Sequence, residues 1–92
     1  MGHYIFKKHT VVIDNFGTAV LLAEDYDYRT DKPMPYKQWW NVYFKKRGKP
    51  IISQQWEDWQ GGTITVDQSD CFHPAPKKLI KMLNIPENIL KN

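Results

Sequence analysis

"KQWWNVYFK", residues 37–45, is the stretch on which the fold turns. It is rich in aromatic residues and has the character of a strand rather than a helix. Successive side chains of a strand face opposite ways. Trp40, Val42 and Phe44 therefore share one face, which is purely apolar and is expected in the core. Trp39, Asn41, Tyr43 and Lys45 share the other, where aromatic and polar groups mix and contact with water is expected.

Upstream, "YIFKKHTVVI" (4–13) and "TAVLLAE" (18–24) read as two strands joined by the turn "DNFG" (14–17), in which Gly17 permits a positive φ. In the second strand Ala19, Leu21 and Ala23 point one way and Val20 and Leu22 the other, so both faces should be covered. "DYDYRTDKPMPY" (25–36) is the longest loop, because Pro33 and Pro35 bar a regular ladder. Downstream, "KRGK" (46–49) turns the chain at Gly48, "PIISQQW" (50–56) pairs back, "EDWQGG" (57–62) is a second loop and "TITV" (63–66) a last strand. The C-terminus changes period. Leu79, Met82 and Leu83 fall at helical spacing, Pro76 suits the first turn, and Asn84-Ile85-Pro86 stops the helix. A last short helical turn should pack Ile89 and Leu90 inward.

The expected fold class is α+β: one small domain over residues 1–92, with an about five-stranded, mostly antiparallel sheet over about 4–67 and a helical C-terminus over about 75–91. One helix covers one face of one sheet. The face with Trp39 and Tyr43 must then curl into a small barrel or meet a partner.

Composition supports a folded domain, with 41% hydrophobic and 25% charged residues. Four Trp, five Tyr and four Phe compensate for short length, and such side chains also dominate binding surfaces. Cys71 is the single cysteine, so no intramolecular disulfide forms, which fits a reducing compartment. The N-terminal residues lack the pattern of a signal peptide, and no run has the length of a membrane span. A cytoplasmic location and no membrane partner are expected. The lysine excess over arginine points to an AT-rich genome, and the small size suits a phage or mobile-element protein.

The residues for catalysis or metal binding do not assemble in the sequence. Cys71 and His73 form one close pair with no second, whereas a zinc site wants four ligands, and His3 and His9 lie elsewhere. Cys71 with His73, or Ser53 and Ser69, lack the surroundings of an activated nucleophile. Glu57–Asp58 and the run Glu24, Asp25 and Asp27 read as solvated acids rather than a paired-carboxylate cleft. Gly61–Gly62 opens a strand, not a phosphate-binding helix. No enzyme activity, cofactor or metal is expected.

Binding is the remaining class. A protein partner would meet Tyr26, Tyr28, Met34, Tyr36, Trp39 and Tyr43, an aromatic and Met-rich patch with charged flanks. The expected role is that of a small non-enzymatic inhibitor or regulator acting by protein–protein contact, and a homodimer is compatible with the same surface. The alternative is a single-stranded nucleic-acid binder, with bases stacked on Trp39 and Tyr43 and phosphates tracked by Lys37, Lys45, Lys46, Arg47 and Lys49. The acidic run at 24–31 would oppose that if it lay nearby. A sugar-binding face built on Trp56, Trp59, Gln54, Gln55 and Gln60 is a third reading. The net charge of +3 is compatible with each.

Overall fold

The computed structural model describes residues 5–27, 29–54, 61–69 and 71–90. Its centre is the ten-residue strand β5 (Met34–Tyr43). Before it come β1 (Ile5–Phe6), β2 (Val11–Ile13), β3 (Thr18–Leu22) and β4 (Tyr26–Asp27). After it come β6 (Ile51–Gln54), β7 (Gly62–Ile64), α1 (Val66–Ser69), β8 (His73–Pro74), α2 (Lys77–Met82) and α3 (Glu87–Leu90).

The main sheet runs β6-β5-β3-β2-β8, with β7 also on β5, and β1 pairs with β4 in a separate ribbon. All of these pairs are antiparallel. The fold is thus α+β with a mostly antiparallel sheet, as expected, but with six strands in the main sheet rather than about five. The expected C-terminal helix and the short helical turn after it are α2 and α3, and α1 is a further short helix that was not expected. The strand expected over 4–13 is broken at His9, whose φ of 69° turns the chain between β1 and β2. The strand expected over 63–66 ends at Ile64, and Val66 opens α1.

The loop expected over 25–36 is shorter, because β4 takes Tyr26–Asp27 and β5 begins at Met34. Pro35 is inside the ladder, opposite Thr63. Its carbonyl accepts from Ala23 N–H at 3.1 Å, on the side away from β7. Pro35 therefore owes β7 no donor, and its missing N–H breaks no bond there.

A β-bulge decides which face each aromatic takes. Leu21 pairs with Gln38 but Leu22 with Tyr36, so Lys37 is the extra residue in β5. Beyond it the alternation is inverted. Trp40 and Val42 join one buried cluster, with Val11, Ile13, Ala19, Leu21, Leu79 and Leu83 beneath α2 and α3. Met34 and Tyr36 join the opposite cluster, with Val12, Val20, Leu22, Tyr26 and Phe72, against which Trp39 and Ile64 pack. Both faces of β3 are buried, as its sequence predicts.

The second face is therefore not bare. The segment around Tyr26, together with β7 and Phe72, covers its β5-start half. The helix signals act as read: Pro76 is the N-cap, Leu79 and Leu83 are buried, and Asn84 takes φ 50° where α2 stops. Ile89 packs against the core, whereas Leu90 is exposed, contrary to expectation. Among the described residues no helix is long and apolar enough to cross a membrane.

Candidate functional site

The two expected site sets fare differently. Tyr26 and Met34 are buried, so neither side chain is presented to a partner. Tyr26 has a structural task. Its hydroxyl lies 3.0 Å from the Lys32 carbonyl and 3.0 Å from Ser69 Oγ, and Ser69 donates to the Val66 carbonyl at 2.7 Å. Met34 is buried because Tyr26, Phe72 and Ile64 cover its face. Tyr36 and Trp39 are half-buried. Burial holds the Tyr36 phenol above its ordinary pKa. Tyr28 lies outside the described residues, as do His3, Gln55, Trp56, Glu57, Asp58, Trp59 and Gln60.

Of the cations, Lys37 is committed, since its Nζ donates to the Ile89 carbonyl at 2.9 Å. Burial, and then the nearby Lys8, hold its pKa below the ordinary lysine value. Lys45, Lys46, Arg47 and Lys49 are all exposed in the turn between β5 and β6. Among the described residues none of these four forms an ion pair; the pair that does form is Arg29 with Asp27 at 2.8 Å.

The register assembles a face that the sequence alone did not show. Thr18 pairs with Asn41, Asn41 with Ser53, and Tyr43 with Ile51, so these five side chains share one side of the sheet. It is the side of Val20 and Trp39, but at the end that the second cluster does not reach. Tyr43 is 66% exposed and Ile51 52%. Phe44, expected in the core, lies past the end of β5 and is 53% exposed. Phe16 is 85% exposed in the β2–β3 turn. That turn is held beside β5, where Val42 N–H donates to the Gly17 carbonyl at 2.7 Å. Asp14 Oδ1 fixes it by accepting from the Phe16 and Thr18 N–H groups, each at 2.9 Å.

Between this turn and α1 opens a cleft of about 240 Å3, lined by Asp14, Phe16, Thr18, Ile64, Gln68, Cys71 and Phe72. Its walls are largely apolar, with Asp14, Gln68 and the exposed Cys71 supplying polarity. Through Thr18 it joins the Asn41–Tyr43–Ile51 face. Phe16, Phe44 and Ile51 were missed as candidates because a lone apolar residue near a turn carries no periodic signal. Their common feature, exposure at one end of the sheet, exists only after the strands have paired.

Among the described residues no three His, Cys, Asp or Glu side chains cluster as a metal site would need. No protein-family model matches the chain, and no curated protein or solved structure matches it.

Proposed function

We propose that this chain is a non-enzymatic binding protein that acts by protein–protein contact, as an inhibitor or regulator of its partner. One observation carries the reading: Phe16, Tyr43, Phe44 and Ile51 are at least half exposed and gather at one end of the sheet, around a cationic turn. Exposed apolar groups scattered singly need no explanation, but a group of large ones rimmed by charge fits the centre of an interface. The surface differs from the expected one. It keeps Tyr43, drops Tyr26 and Met34, and moves from the 26–36 segment to the β5–β6 end.

A photo-crosslinking phenylalanine analogue at Tyr43, and separately at Phe16, tests this in cells that make the protein. The expected result is a covalent adduct with the same protein from both positions and none from Lys78, exposed in α2. Adducts with nucleic acid alone would end the reading.

A second reading, single-stranded nucleic-acid binding by the turn, is favoured by one observation. The acidic run flanks the start of β5, where Ala23 bonds to Pro35, while the cationic turn follows its end. A ten-residue strand separates them by about 30 Å. That is several Debye lengths at physiological salt, so the acids do not oppose a phosphate chain at the turn. Oligonucleotide binding that weakens steeply with salt and is lost in Lys45→Glu/Lys46→Glu would support this reading.

A further inference from the structure

We infer that the partner is bound through an extended acidic segment, with an apolar side chain seated in the Phe16–Ile64–Phe72 cleft and carboxylates over the Lys45–Lys49 turn. This rests on the protein-contact reading and specifies the partner's chemistry.

Charge complementarity chooses the occupant. Lys45, Lys46, Arg47 and Lys49 are exposed and have no ion-pair partner among the described residues. A partner that buries Tyr43 and Ile51 beside them must bring negative charge or leave desolvated cations unpaired. The cleft end has the opposite sign, since Asp14 lines it and Asp67 is exposed on α1. Carboxylates are therefore disfavoured at the cleft, and an apolar group is favoured by its walls. The two ends give the segment a direction. From Asn41, beside the cleft, to Lys45 the chain advances four residues, about 13 Å if extended. An extended ligand spans that with about four residues. The anchor and the first carboxylate should therefore stand about four residues apart.

Random peptides displayed on phage are selected on the immobilised full-length chain, and enriched peptides are synthesised. Cys71 is the chain's single cysteine and lines the cleft, so its alkylation by N-ethylmaleimide, read by intact mass, reports occupancy. The inference expects enriched peptides with an apolar or aromatic residue and carboxylates at the stated spacing, and slower alkylation when they are bound. Reversing two exposed charges, in Lys45→Glu/Lys46→Glu, should weaken these peptides about tenfold. Phe16→Ala should weaken them without altering the circular dichroism spectrum.

Enriched peptides without carboxylates, unchanged alkylation, or affinity unmoved by both variants would overturn the inference. If no peptide enriches while Tyr43 still crosslinks to a folded protein, the segment is wrong and the protein-contact reading stands. If oligothymidylate binds through the turn and neither peptide nor protein does, both fall.

Discussion

Two glycines with similar backbone angles do different work. Gly17 has φ 95° and Gly48 φ 87°. A Cβ at Gly17 would overlap the Val42 carbonyl oxygen, where the hairpin turn touches β5, whereas at Gly48 it would meet open space. Gly48→Ala should cost only the left-handed penalty, about 1–2 kcal/mol. Gly17→Ala adds a backbone clash and should cost more, about 3 kcal/mol or above, by analogy with overpacking. Urea denaturation of the two variants checks the order. Tyr26 offers a second contrast, against the exposed Tyr43. Tyr26→Phe leaves the Lys32 carbonyl and Ser69 short of a partner and should cost about 1–3 kcal/mol. Tyr43→Phe should lie within about 0.5 kcal/mol of the parent, as exposed substitutions do.

The element that organises the molecule is β5. Its bulge at Lys37 places Trp40 and Val42 under the helices while Met34 and Tyr36 face the other way. Along β5, β7 pairs with residues 34–36 and β6 with 40–43. Between these stretches the Trp39 N–H is met by Gln38 Oε1 at 2.9 Å, which is one use for a buried glutamine. The short helices depend on this strand for stability, since isolated helices of such length are marginal in water. α2 is six residues and contributes Leu79 to the cluster beneath it. Leu79→Ala should therefore cost about 2–5 kcal/mol, far more than a six-residue helix holds by propensity. Thermal denaturation followed by near-ultraviolet dichroism, which reports the packing of Trp40, is the appropriate measure.

For the whole molecule, charge and stability are largely separate. Acids flank the start of β5 and the four cations of the turn follow its end, with no ion pair tying those cations to the fold among the described residues. Lys46→Glu/Arg47→Glu should therefore leave the unfolding free energy within about 1 kcal/mol of the parent, at about 0.5 per exposed site. It should still change how the molecule meets a charged partner. High pH acts differently. Burial raises the folded-state pKa of Tyr36 above 10.0, so as pH rises past that value the unfolded chain loses the phenolic proton first. The folded form then binds more protons, and stability falls with increasing pH. Denaturation at about pH 9 and about pH 11 should show a smaller drop for Tyr36→Phe than for the parent.

Several features were legible because they depend only on local chemistry. Alternation in 37–45 located Trp40 and Val42 in the core, and the run in 18–24 required cover on both faces. Asp14-Asn15-Phe16-Gly17 marked the first hairpin turn, and Leu79, Leu83 and Asn84 marked the helix and its end. Long-range pairing decided the rest. Nothing in "CFHP" (71–74) announces a strand, because β8 exists only by bonding to β2. Nothing in "MPYKQ" (34–38) announces the bulge, because an extra residue is defined only against its partner strand. That inversion placed Met34 and Tyr36 on the face of Trp39 rather than that of Trp40, and Tyr26, Phe72 and Ile64 cover them there. The neighbourhood of exposed Phe16, Tyr43 and Ile51 is likewise a property of register. Periodicity tells a side chain which neighbours share its face, but only the assembled sheet determines whether anything covers that face.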